Sequence, residues 1–388
     1  MSNALGTGRS PQLPSVAAAL RDPAAAATQA ERLGTVDIVR GLAMIFMLLN
    51  HATWHVPGIT FRVNYGWDMP VPLLIEYSPL TWVGLLQGTP LFFIMTGFAA
   101  ALFEGGRRRR GWADAQITRF LLIRGGVLIA LDWLVLPWQF WPQPGYEPNA
   151  YNVLTCIGIC LWLLAFLRRL PLLYLLLLTL AITVGTQALY KMVTPPQDVN
   201  LLRMVFLYMG PGDPVTFGFP VLPWLAVILL GYATMRCLSA NPALFPRVTL
   251  GAAAAAWLVW AAVSHFRQFG VLFPSHPLLM TKHPPSLAYL AFYIGATYLL
   301  LYLLNAAQPA QARFPLKHIA LLGQTALAFY VLHFYAIDIF SALLQGSPLP
   351  AFVEVLLITA LALVLLYQVC TRYRRLRKAH PDSLLKYL

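Results

Sequence analysis

Charged side chains are scarce in this sequence: Asp, Glu, Lys and Arg make up 11% of 388 residues, and only 14 are acidic. A soluble domain carries about 25%, so too little charge is present to coat a water-facing surface of this length. Cysteine is scarce as well, with four in the chain. Cys156 and Cys160 lie one helical turn apart in an apolar run, and Cys237 and Cys370 sit at the ends of two others. A disulfide framework needs clustered extracytoplasmic cysteines. A metal site needs Cys and His at ligand spacing. Neither pattern is present, which leaves inert thiols buried in apolar segments. No internal repeat is strong enough to argue an inverted-repeat transporter.

What fills the chain is apolar: 59% of residues are hydrophobic and the mean hydropathy is +0.66. About 20 apolar residues in a row cross a bilayer as a helix. Ten such stretches are read near 36–54, 81–103, 117–137, 152–167, 171–190, 219–236, 248–265, 286–305, 318–341 and 352–371. Pro- and Gly-rich turns separate most of them. The expected class is therefore all-α: a polytopic membrane bundle of about ten transmembrane helices. Residues 1–31 read as a disordered cytoplasmic tail without a signal-type apolar core. Residues 32–371 read as the bundle and 372–388 as a basic cytoplasmic tail.

The net charge of +13 would suggest nucleic acid in a soluble protein, but here the cations sit in short turns between apolar runs. With both termini in the cytoplasm, only Arg62, Lys191, Arg203, Arg267 and Lys282 of the 27 basic residues fall outside. That follows the positive-inside rule and argues for an even helix count. The expected partner is membrane lipid, with no nucleic acid. Arg107 to Arg110 read as a cytoplasmic stop signal touching anionic lipid, with donor binding as the alternative. The Ala-, Pro- and Arg-rich tails suit a bacterial inner membrane.

The first apolar segment carries the chemistry. Asp37 and Arg40 are three residues apart and can pair on one helix face. Arg40 and His51 are eleven apart, close to three turns, so they share a stripe and lie about 16 Å apart along the axis. His55 extends the stripe if the helix continues. Polar groups inside a membrane segment are costly and usually face a cavity or a partner. Arg suits phosphate or carboxylate, and His suits proton transfer or nucleophilic attack near neutral pH. The plainer alternative makes Arg40 a topological anchor paired with Asp37 and His51 an interfacial residue.

The run Asp37-Ile-Val-Arg40-Gly41, followed by Asn50-His51, resembles the opening of the transmembrane acyltransferase superfamily. The resemblance is strongest to the branch containing heparan-alpha-glucosaminide N-acetyltransferase and its bacterial relatives. The Arg-to-His spacing is also similar to that of the acyltransferase-3 family. Pro90-Leu-Phe-Phe-Ile-Met-Thr-Gly97, Pro220-Val-Leu-Pro-Trp224 through Gly231, Lys282-His-Pro-Pro-Ser286 and Gly323 through His333 resemble later segments of the first branch.

The resemblance implies acyl transfer from an acyl-CoA drawn from the cytoplasm to an acceptor outside the membrane. Acetyl is the simplest acyl group and a sugar or glycan the acceptor. It assigns Asn50 to the family's functional Asn, as an oxyanion donor, and His51 or His55 to its His. Arg40, Arg119 and Arg124 would hold the CoA phosphates. A homodimer follows only by analogy. A transporter or flippase sharing the bundle, and a non-catalytic partner in envelope assembly, are the alternative functions.

Other side chains stand out beyond the first segment. His333 has Tyr330 on its helix face at a spacing of three, while Asp338, five away, points elsewhere. A catalytic or substrate-binding role competes there with a structural interhelical hydrogen bond. Asp132 could orient a histidine or bind the acceptor, or be an interfacial acid. Trp224 and Trp82 could stack on a sugar or anchor the aromatic belt. His265, His276 and His283 share an outer loop but lack metal-ligand spacing, so no metal is expected.

Overall fold

The computed structural model describes residues 23–56, 88–137, 150–192, 200–207, 216–265, 282, 284–307 and 314–380, with 383, 385 and 387. Trp82, His276, His283 and the side chain of His265 lie outside the described residues, as does most of the outer-loop sequence.

Among the described residues the chain is helical apart from one two-residue parallel pairing, β1 (Ala150–Tyr151) with β2 (Thr216–Phe217). The helices are α1 (Pro23–Ala52), α2 (Gly88–Arg109), α3 (Asp114–Leu134), α4 (Val153–Leu167), α5 (Leu172–Met192), the short α6 (Leu201–Phe206), α7 (Val221–Ala240), α8 (Phe245–His265), α9 (Leu287–Ala306), α10 (Leu316–Gln324), α11 (Ala326–Leu344) and α12 (Ala351–Ala379). Eight spans among them are long and apolar enough to cross a membrane. α3 falls short of that measure because Arg119, Arg124 and Asp132 interrupt its apolar run. α4 falls short because its 15 residues reach only about 22 Å.

Three boundaries differ from the sequence reading. α1 starts at Pro23, inside the stretch read as tail. Proline fits the first helical turn, and the alanines that follow have the highest helix propensity. α12 continues to Ala379, past the expected end near 371, because Arg372 to Lys378 are good helix formers too. The expected continuous helix over 318–341 is two helices broken at Thr325 (φ −120°, ψ 25°). The Thr325 hydroxyl donates to the Leu321 carbonyl at 2.9 Å, satisfying an acceptor that the break strands.

The outer surface confirms the membrane class. Along α5, Leu173, Leu177, Leu180 and Val184 recur at helical spacing and are all exposed. Leu258 on α8 is 70% exposed. In water such a stripe would be an apolar patch with no partner; in a bilayer it is the lipid face. α5 and α8 are accordingly the peripheral spans, only 22% and 17% buried.

The interior is built on α1, α2 and α7, with α9 to α12 closing around α1. Small residues let the backbones approach. A Cβ on Gly97 would collide with the Ile228 carbonyl, and one on Gly231 with the Ile94 carbonyl, so α2 and α7 meet backbone to backbone. Gly41 and Gly323 do the same for α1 and α10, against the Ile319 and Asp37 carbonyls. Cys156 and Cys160 are buried thiols that donate to the Pro220 and Val221 carbonyls, seating α4 against the start of α7.

The basic end of the bundle is locked by one polar network. Glu104 accepts from Arg108 at 2.8 Å, from Arg168 at 2.9 Å and from the Tyr232 hydroxyl at 2.6 Å. Arg168 is fully buried and also meets Asp114 at 2.8 Å and Thr118 at 2.8 Å. α2, α3, α7 and the end of α4 therefore share one set of charge-assisted bonds.

Candidate active site

α1 runs unbroken from Arg40 to His51, so the two side chains keep the expected axial separation of about 16 Å. The two pieces of the broken helix lie along α1 in tandem. α10 packs at the Arg40 level and α11 at the His51 level.

At the lower level is a cavity of about 350 Å³. Arg40, Arg124 and Arg377 line it, with Asp37 as the carboxylate in its wall and Gln324 beside them. Asp37 and Arg40 pair at 3.6 Å. Arg377 also donates to the Gln324 carbonyl at 3.2 Å, across the helix break. Three guanidiniums against one carboxylate leave the cavity wall with an excess of positive charge. Planar guanidinium forks suit phosphate oxygens.

The upper level holds the histidines. His51 Nδ1 lies 2.7 Å from His333 Nε2. His333 is fully buried, and its Nδ1 bonds the Tyr330 carbonyl one turn back on α11. Phe334 stacks on His51 at 4.6 Å with an interplanar angle of 14°, fixing the ring plane. α1 ends at Ala52, and a 3₁₀ turn over Thr53–His55 brings His55 back to the same cluster. His55 Nδ1 donates to the His51 carbonyl at 3.2 Å. His55 Nε2 sits 3.0 Å from Asp338 Oδ1, close enough to pair but off the line of a good hydrogen bond. Asn50 is buried, and among the described residues its amide Nδ2 has no partner.

Aromatic contacts run from one level to the other through Phe92 and Tyr330. Phe92 lines the lower cavity and lies over Tyr330, ring centroids 6.2 Å apart. Tyr330 is 5.4 Å from His333. Lys282 acts electrostatically on His51 and lies 5.7 Å from the Phe219 ring. Burial pulls its ammonium down from an ordinary 10.5 to about 8. Its turn is anchored by Gln187, which donates to the Pro285 carbonyl at 3.1 Å and accepts from Leu287 N at 3.0 Å.

Against this geometry, residues 32–265 match the family described as heparan-alpha-glucosaminide N-acetyltransferase, catalytic. The chain belongs to this family. It is a multi-pass membrane protein of an acetyltransferase class. No curated protein matches the chain. The family match ends with α8, so His333, Asp338, Gln324 and Arg377 come from helices beyond it. The bundle brings them to Arg40 and His51.

Three side chains singled out in the sequence have other surroundings. Arg119 is exposed and is not in the cavity wall, where Arg377 stands instead. Asp132 is buried and serves as the cap of α4: its Oδ2 accepts from Asn152 N at 3.0 Å, Thr155 N at 2.8 Å and the Thr155 hydroxyl at 2.6 Å. Its place at a helix N-terminus accounts for the carboxylate. Trp224 is fully buried and stacks on Phe93 at 4.4 Å, so it packs the core and offers no face to a sugar. Among the described residues no group of three His, Cys, Asp or Glu could hold a metal.

Asp338 and Arg377 escape a reading of the sequence for a common reason. Spacing along one helix correctly separates Asp338 from His333, but its partner comes from the turn after α1. Arg377 sits in a run that reads as tail until α12 is seen to continue.

Proposed function

We propose that this family member transfers an acyl group, acetyl in the simplest case, from an acyl-CoA entering at the basic end to a hydroxyl or amine at the histidine end. A sugar or glycan on the extracytoplasmic side is the acceptor, and the basic end faces the cytoplasm. The observation that carries the reading is the placement of two unlike polar clusters along α1. One is a cationic cavity and the other a histidine cluster, with Phe92 and Tyr330 between them.

The residues present fit the donor. Arg40, Arg124 and Arg377 supply charge-assisted bonds to phosphate oxygens, and the axial distance from Arg40 to His51 suits a long pantetheine arm. At the upper level His51 takes the proton from the acceptor as it attacks the acyl carbonyl. The new acyl–oxygen or acyl–nitrogen bond forms, the carbon–sulfur bond breaks, and His51 returns the proton to the departing thiolate. The Asn50 amide donates to the oxygen that becomes negative in between, where a preorganised donor is worth most.

The test uses purified protein in lipid nanodiscs, with labelled acetyl-CoA and an amino-sugar acceptor. His51→Ala is expected to lose transfer about 10²-fold or more, the scale of a general base, while acetyl-CoA still binds. Arg40→Ala is expected to weaken binding by about 10-fold to 100-fold, as for one lost hydrogen bond to a charged group. Full transfer by His51→Ala would end the assignment.

A further inference from the structure

We infer that His333 is a positioning residue that locks His51 in one tautomer, with the proton on Nδ1 and the lone pair on Nε2. The inference rests on the reading of His51 as the base, and adds which nitrogen acts and what selects it.

The argument is proton counting along a chain of contacts. A carbonyl oxygen can only accept, so the bond to the Tyr330 carbonyl requires a proton on His333 Nδ1. A neutral His333 then presents a bare Nε2. His51 Nδ1 stands 2.7 Å from that nitrogen, and two bare nitrogens at that distance would repel. His51 must therefore donate from Nδ1, which places its lone pair on Nε2. The Tyr330 carbonyl, one step removed, sets the protonation of a residue on another helix.

Two further observations fit the same state. His333 is fully buried, so water does not compete for its Nε2. Phe334, the next residue on α11, stacks on the His51 ring and fixes its plane. One dipeptide thus supplies both the tautomer and the orientation. This is the role that a hydrogen-bonded partner plays for a histidine base in general.

His55 shows what the arrangement avoids. Its Nδ1 faces the His51 carbonyl and its Nε2 faces the Asp338 carboxylate. Both neighbours are acceptors, so neither contact favours a bare ring nitrogen on His55, unlike the pairing of His51 with His333. The sequence left His51 and His55 as alternatives for the base, and the tautomer lock applies to His51.

The decisive measurement is ¹⁵N solid-state NMR on histidine-labelled protein in bilayers, with the His51 signals assigned by their loss in His51→Gln. The expected pattern for wild type is a protonated Nδ1 and an unprotonated Nε2. In His333→Phe, which keeps the ring and removes the acceptor, the two tautomers should mix. Its kcat should fall by about 10²-fold, with the KM for acyl-CoA unchanged. His333→Gln places an amide oxygen near the Nε2 position and should restore the wild-type pattern and most of kcat.

A wild-type spectrum with the proton on Nε2 overturns the inference without any variant. So does a His333→Phe protein with the wild-type tautomer and kcat. Should no acyl transfer be found but the expected tautomer appear, the lock stands and the acyltransfer reading alone falls.

Discussion

At the scale of single residues, Lys282 makes the clearest solution prediction. Its folded pKa of about 8 lies below its ordinary 10.5. Between those values the unfolded chain holds a proton that the folded chain has released, so stability rises with pH across that window. Below about pH 8 both states are protonated, and the folded state carries the full cost of a half-buried ammonium. Thermal melts of the wild type from pH 7.5 to 10.5 should climb relative to those of Lys282→Met. Parallel curves for the two proteins would show that Lys282 is solvated.

Residue chemistry was partly legible in the sequence. Arg40 and His51 could be paired because one unbroken helix carries both, and helical periodicity is enough to place them on one side. Arg119 and Arg124 could not be told apart by type. They differ by five positions on α3, so they face different ways, and only Arg124 reaches the cavity. Asp132 and Trp224 look functional in a sequence because buried acids and indoles often are. Their actual partners, the Thr155 amide and the Phe93 ring, lie on other elements.

At the scale of elements, the glycines of the sequence motifs are packing residues. Gly97 and Gly231 allow α2 and α7 to touch, so Gly97→Leu or Gly231→Leu should cost at least about 1–3 kcal/mol, the range for overpacking. Replacing Gly106, where a Cβ meets nothing within 4 Å, should be close to neutral. Unfolding in mixed micelles by a denaturing detergent would rank the three. The buried network at the basic end makes a second element-level prediction. Arg168→Leu removes the buried cation from Glu104, which keeps Arg108 and the Tyr232 hydroxyl, and should cost about 1.5–3 kcal/mol, as for a lost hydrogen bond to a charged group. Glu104→Gln with Arg168→Met together should recover part of that loss, because the buried carboxylate charge is then gone.

Helix positions were readable because a run of about 20 apolar residues is long enough to span a bilayer and too long for a typical strand. The break at Thr325 was not, since residues 318–341 are largely apolar and contain no proline. The interruption is stabilised by tertiary contacts: Gln324 faces the cavity and its carbonyl meets Arg377 of α12. An unwound point inside a membrane bundle is tolerated where it borders a cavity, and here it borders the one lined by Arg40, Arg124 and Arg377.

At the scale of the whole molecule, the charge asymmetry predicts the direction of transfer. The cationic cavity, the Glu104 network and the Arg107 to Arg110 run all belong to the basic end. Single cysteines placed at exposed Arg110 and at Gly346, in a version lacking the four native thiols, should be labelled from opposite sides of sealed vesicles. Modification of both from one side would remove the transmembrane direction from the account.

The central claim is that an acyl-CoA reaches from the cationic cavity to the histidine cluster. A cryo-electron microscopy structure with a non-transferable thioether analogue of acetyl-CoA tests it most directly. The account predicts phosphate density against Arg40, Arg124 and Arg377, Phe92 and Tyr330 displaced, and the thioether sulfur close to His51 Nε2. Analogue density away from these arginines, or a sulfur held below an undisturbed Phe92 and Tyr330 pair, would contradict it.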